Sequence, residues 1–115
     1  MDAELAVAHV DVAALGSVNE LQGHAVGDAL LRSVADSVRE RLRAYDLIVR
    51  LGGDVFLCAL PGVTVEDARN RFADVQTALA EGEKPHRINV GIAVLEPDDT
   101  AADLIKRART DVQDR

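Results

Sequence analysis

At 115 residues, 48% of them apolar, the chain has the length of one domain and enough apolar surface for a single core. Its formal charge of −7 excludes a nucleic-acid surface, because neutralising phosphates takes clustered Lys and Arg. A small anionic ligand is admissible where a metal ion or a few arginines offset its charge. Aromatic residues make up 3% and Trp is absent, so Val, Leu, Ile and Ala must fill the core.

In chain order, "LAVAHVDV" (Leu5 to Val12) is a β-rich apolar run that predicts a strand buried on both faces. From Val26 the apolar residues Leu30, Leu31, Val34, Ala35, Val38 and Leu42 recur at helical spacing, predicting a long amphipathic helix that ends near Arg43. "RLGGDVF", residues 50 to 56, predicts a hairpin between strands Leu47–Leu51 and Val55–Leu60, with Gly52 and Gly53 supplying φ > 0 at the turn and Pro61-Gly62 stopping the second strand. Thr64 with Asp67 caps the next helix, whose buried stripe is Ala68, Phe72, Val75 and Leu79. A loop at 81 to 85 leads to a strand at 88 to 95, and Thr100 with Asp103 caps a last helix carrying Leu104, Ile105, Ala108 and Val112. The order strand, helices, hairpin, helix, strand, helix gives an α+β fold with helices packed on a mainly antiparallel sheet. Cys58, the only cysteine, can form no intrachain disulfide and reads as a small buried hydrophobe. No apolar run approaches the length of a membrane span, and the acidic start is unlike a signal peptide, so a cytoplasmic setting is expected. Residues 1–115 read as a single domain excised from a multidomain protein.

The stretch after Asp11, "VAALGSVNELQGHAVGD", carries Asn19, Gly23, His24, Gly27 and Asp28 in an N-x-x-x-G-H-x-x-G-D pattern. Together with "RLGGDVF" and "VGIA" at 90 to 93, it resembles the GGDEF family, the diguanylate cyclases that join two GTP molecules into cyclic di-GMP in bacterial second-messenger signalling. The resemblance runs over nearly the whole chain. It implies a nucleotidyl-cyclase-like fold with a ferredoxin-like core, and attached sensory or effector domains; a homodimer is compatible with it.

The resemblance assigns roles residue by residue. Asp11, the backbone carbonyl of Val12, and Asp54 match the positions that hold the metal, and Mg²⁺ suits such oxygen ligands beside GTP phosphates. Asn19 and Asp28 match the residues that read guanine: a carboxylate accepts from guanine N1–H and the exocyclic amine, and an amide donates to a ring acceptor. Read without the family, Asp28 could open the long helix and Asn19 could serve a turn. His24 reads as structural, and His9 and His86 show no metal-ligand spacing. "RAYD", Arg43 to Asp46, ends at the family's spacing from the hairpin for the RxxD site that binds cyclic di-GMP, and Arg71 is a candidate second arginine there. The plain alternative is an arginine placed by the helix dipole and an aspartate opening a loop.

Departures from the family pattern bear on function. Val55 stands where the family has a second acid, so no catalytic residue is assigned beyond the remnant Asp54. Ala14, Leu15 and Gly16 replace an aromatic pair and a lysine, and "RARTDVQDR" lacks the basic residues that hold phosphates. The expected function is a degenerate, inactive GGDEF domain that binds cyclic di-GMP or GTP as a regulatory module. A weakly active cyclase and a dimerisation or docking scaffold without nucleotide binding are the alternatives.

Overall fold

The computed structural model describes residues 4–82 and 85–113; Glu83 and Lys84 of the predicted 81–85 loop lie outside the described residues. Strand β1 (Leu5–Val12) is followed by helices α1 (Leu15–Gln22) and α2 (His24–Arg39), then the hairpin β2 (Leu47–Gly52) and β3 (Val55–Pro61). Helix α3 (Val65–Glu81), strand β4 (Ile88–Val94) and helix α4 (Ala101–Gln113) complete the order. The four strands form one sheet in the order β2-β3-β1-β4, and every neighbouring pair is antiparallel. The α+β expectation is met.

Strand β1 sits in the middle, so its alternation sorts the two layers. Its even residues Ala6, Ala8, Val10 and Val12 are buried and join Phe56, Cys58 and Leu60 of β3 beneath α2 and α3. Its odd residues face α4, where Val7 packs with Ala93, Leu104 and Ala108. Each layer takes apolar residues at the period of its element: Leu31, Val34, Ala35 and Val38 on α2, and Ala68, Phe72, Val75 and Leu79 on α3. The predicted caps are in place. The Thr64 side chain accepts from the Asp67 N–H, and Thr100 and Asp103 bond each other reciprocally as a capping box.

Two local expectations are corrected. Helix α2 ends at Arg39, not near Arg43, because the Arg41 and Leu42 N–H groups bond three residues back, to Val38 and Arg39, and tighten the chain out of the α-helix. Leu42 still packs against the core, which is why the apolar period runs past the helix. The hairpin glycines do not adopt φ > 0; the left-handed glycines are Gly23 (φ 90°) and Gly62 (φ 74°). A register shift between Arg50 and Gly52 supplies the local twist instead.

The two edges of the sheet differ. On β4 the Gln76 amide donates to the Ile88 carbonyl at 2.6 Å and accepts from its N–H at 2.9 Å, the Asp111 carboxylate takes the Ile92 N–H at 2.8 Å, and Arg107 bonds the Val94 carbonyl. Strand β2 instead exposes the alternate residues Leu47, Val49 and Leu51.

Helix α4 lies unusually close to β4. The Ala108 carbonyl oxygen and the Val112 backbone occupy the space that a side chain on Gly91 would need. Gly91→Ala is expected to push α4 off the sheet and cost about 1–3 kcal/mol, the usual penalty of overpacking. Urea denaturation measures it, and an unchanged midpoint would refute the close approach.

Candidate functional site

The end of β1 holds the carboxylates. Asp11 lies on the α4 face directly across from Val55 of β3 and Asn89 of β4. Asp54 is in the turn between Gly52 and Val55, and its backbone carbonyl accepts from the Val12 N–H at 2.8 Å, which ties the turn to the strand end. Burial pushes the Asp11 carboxyl above its ordinary value, and the charge and hydrogen bond of the Asp54 carboxyl beside it push it further. Arg50 donates to the Gly52 and Gly53 carbonyls at 3.3 and 2.8 Å and braces the hairpin. A Cβ on Gly52 or Gly53 would meet nothing within 4 Å, so this backbone is open to an incoming group.

These groups fit a divalent cation that arrives with a ligand. Among the described residues no group of three or more His, Cys, Asp or Glu forms a metal cage. Mg²⁺ is commonly bound by one or two carboxylates, with phosphates and water completing its shell. A carboxyl that burial and a neighbouring acid push above its ordinary value, as at Asp11, is suited to that use.

Asn19 of α1 packs against Gly27 of α2, the residue before Asp28. The Asn19 amide sits where a side chain on Gly27 would stand, so the glycine makes room for it. Asp28 follows on α2, exposed, at the margin of a groove of about 410 Å³ lined also by Leu31, Arg32, Arg50 and Phe56. Asp28 does not open the helix, which begins four residues earlier at His24. His86 bonds the Ala13 carbonyl through Nε2 at 2.8 Å. A separate cleft of about 300 Å³ between α3 and β4, rimmed by Arg69 and Arg87, contains none of the candidate metal, base or cyclic di-GMP residues assigned from the sequence.

Arg43, Asp46 and Arg71 meet at the other end of the sheet. The Asp46 side chain is fully buried and accepts from the Arg43 backbone N–H at 2.8 Å, from its Nη2 at 2.6 Å, and from Arg71 Nη1 at 3.3 Å. Arg43 also donates to the Pro61 carbonyl at 2.6 Å and to the Tyr45 hydroxyl at 2.8 Å, with its guanidinium 4.4 Å from the Tyr45 ring centre. Burial pushes the Asp46 carboxyl up, but the hydrogen bonds and charge of Arg43, with the charge of Arg71, outweigh it and hold it below the ordinary value. Pro61 pairs with Leu5 and Val55 with Asp11, six residues along β1, so the two clusters stand on the order of 20 Å apart.

Comparison with known proteins gives this arrangement a family. The diguanylate cyclase GGDEF domain family matches residues 1–114. The chain belongs to the GGDEF domain family. Among curated relatives it is 35% identical over 112 residues to the probable diguanylate cyclase DgcE of Escherichia coli, spanning 90% of this chain and 10% of that protein. It is 35% identical over 91 residues to the diguanylate cyclase TpbB of Pseudomonas aeruginosa, spanning 79% of this chain and 20% of that one. The crystal structure of the GGDEF domain of TpbB superposes with a TM-score of 0.86 at 30% identity, covering 96% of this chain and 74% of that one. The GGDEF domain of DgcB from Caulobacter crescentus, solved with cyclic di-GMP, shares the fold at a TM-score of 0.90 and 16% identity, covering 97% and 71%.

In this GGDEF domain two further titratable or charged groups, His9 and Arg109, were given no role from the sequence. His9, 7% exposed, lies two residues before Asp11 on the same face, and its Nδ1 has no hydrogen-bond partner among the described residues. Burial lowers its pKa, as does the charge of Arg109 on α4, while Asp54 acts in the opposite direction. His9 could have been placed by strand alternation. Arg109 could not, because its position depends on how α4 crosses the sheet.

The two ends of the sheet should respond oppositely to pH. Asp11, with its carboxyl held above the unfolded value, costs stability once it ionises. Asp11→Asn is expected to raise the melting temperature at pH 7 in EDTA, with the gain disappearing below about pH 4, where both states carry the proton. Asp46 behaves in reverse: its depressed pKa contributes stability above the unfolded value, lost as pH falls through the folded one. Asp46→Asn should cost about 1–3 kcal/mol at pH 7, the price of leaving charged donors unpaired. That deficit should narrow in acid when denaturation is followed across a pH series.

Proposed function

We propose that this domain no longer condenses GTP and serves as a nucleotide-binding regulatory module in cyclic di-GMP signalling. The observation that carries the proposal is Val55. It is half-buried and stands directly across from Asp11, and a valine there offers neither a metal ligand nor a proton acceptor. Phosphoryl transfer depends on stabilising charge in the transition state, and each ~1.4 kcal/mol lost is tenfold in rate. Gly16 in place of a lysine weakens phosphate binding further.

In this reading, cyclic di-GMP binds at Arg43, Asp46 and Arg71. Asp46, with its oxygens already engaged, orients the two guanidiniums, and these present donors to guanine O6 and N7 and to phosphate. A GGDEF domain 28% identical to this chain was solved with bis-(3′,5′)-cyclic di-GMP, at a TM-score of 0.83, which supports the ligand class. GTP binds at the opposite end, its base at Asn19 and Asp28 and its Mg²⁺ at Asp11, the Val12 carbonyl and Asp54. When bound, Mg²⁺ neutralises the phosphates; the residues of the chain hold and orient the base. The chain spans about a tenth of DgcE and a fifth of TpbB, so the signal reaches and leaves this module through further domains in the reading we favour.

Incubation with GTP and Mg²⁺ or Mn²⁺ is expected to yield no cyclic di-GMP, while calorimetry detects binding of cyclic di-GMP that Arg43→Ala abolishes. Product proportional to protein and lost in Asp11→Ala would establish an active cyclase. Absence of any heat at near-millimolar cyclic di-GMP would leave a scaffold. Asp28→Ala should weaken GTP binding and leave cyclic di-GMP binding unchanged.

A further inference from the structure

Side chains of α3 and α4 occupy backbone groups along the outer edge of β4, but the outer edge of β2 is left open. Ile88 of β4 directs both its N–H and its C=O to Gln76, away from β1. Residues of an antiparallel strand alternate between bonding one neighbour and facing the other way. Odd residues of β4 and β1 therefore bond each other, even residues of β1 bond even residues of β3, and Leu57 and Ala59 bond Val49 and Leu47. The N–H and C=O groups of Ile48 and Arg50 are left facing outward, and among the described residues none of them has a partner. Edge strands are commonly guarded by charge, proline or a bulge. Here Leu47, Val49 and Leu51 are 63, 50 and 48% exposed, with half-buried Leu57 and Ala59 behind them on β3. Helix α4 lies over β4 and β1, so this half of the face is open. The register shift follows Arg50 and leaves residues 48–50 regular.

We propose that β2 pairs with β2 of a second copy of this chain, antiparallel, on a two-fold axis at Val49. A two-fold contact must be self-complementary, and the free groups of β2 allow few registers. An axis at Ile48 would need the Asp46 N–H, which already bonds the Arg43 carbonyl. An axis at Arg50 sets that arginine directly opposite its own copy, and like charges so placed repel. With the axis at Val49, Ile48 of each copy exchanges both backbone bonds with Arg50 of the other. On the open face Val49 then meets Val49, and each Leu47 meets Leu51 of the second copy. On the opposite face Ile48 lies across from Arg50, so no charge meets its like. Two chains of charge −7 repel each other, but Leu47 to Gly53 holds no acid and one arginine, so they approach where repulsion is least. The contact joins the two sheets into one and does not depend on any nucleotide.

The test exploits the residue that faces its own copy. Nucleotide-free wild-type protein, Val49→Lys, Val49→Glu and an equimolar mixture of the two variants are followed by sedimentation velocity from micromolar to near-millimolar concentration. Leu21→Lys, at the most exposed of the large apolar residues and on α1, is the control. Far-UV circular dichroism confirms folding of each variant. Wild type is expected to show a reversible monomer–dimer equilibrium that high salt shifts toward dimer, because salt screens the repulsion between acidic copies. Each Val49 variant alone sets like charges across the axis and is expected to dimerise about tenfold or more weakly. The mixture sets Lys against Glu and is expected to recover the association, and Leu21→Lys to match wild type. A wild type that stays monomeric throughout overturns the inference, as do Val49 variants that dimerise as well as wild type. A mixture no better than its components, or loss of the dimer in Leu21→Lys, overturns it too.

Discussion

Strand β1 must be buried on both faces and paired on both edges, yet end in a carboxylate. That constraint shapes the rest of the molecule. Every residue from Leu5 to Asp11 faces a partner on β3, and from Ala6 onward also one on β4, so the strand has no free edge along which water could enter. Small and β-branched side chains on its even face let α2 and α3 close down, and Gly91 beside it lets α4 close from the other side. Asp11 therefore ionises at the margin of a packed interior, where burial and a second acid both work against its charge. Such a site is stable only with modest self-repulsion, and it becomes favourable when a cation enters.

The three acids of interest illustrate two electrostatic states. Asp46 has its demand met inside the protein by Arg43 and Arg71, which fastens the start of β2 to α3 and, through the Pro61 carbonyl, to the end of β3. Asp11 instead has a second acid, Asp54, beside it. The first cluster is organised by the protein itself, with both guanidiniums already held in place. The second is left incomplete by the chain and is suited to a ligand that brings its own positive charge.

Much of this was legible in the sequence, for reasons that differ by element. The Thr64 and Thr100 caps depend on residues three apart, and local chemistry settles them. The span of β1 follows from an uninterrupted apolar run. The end of α2 was misplaced because Leu42 keeps the helical period although the chain has already tightened into turns. The hairpin conformation was misjudged because glycine permits φ > 0 without requiring it; here the register shift at Arg50 supplies the twist, and the glycines leave open space. Arg71 could be proposed beside Asp46 only through the family pattern, being 25 residues away. Arg109 needed the crossing of α4 over β4, which no local signal encodes.

The single thiol gives the molecule a built-in gauge of its own opening. Cys58 is wholly enclosed in β3, between Ala8 on one side and Ile48 on the other, and burial, reinforced by the charge of Asp46, pushes its pKa up to about 12. Thiol reagents attack the thiolate, so the folded protein resists them on grounds of both access and ionisation. Labelling must wait for the three-stranded layer around it to part. Its rate then reads the free energy of that opening, and any ligand that favours the closed sheet slows the reaction in proportion to its occupancy term.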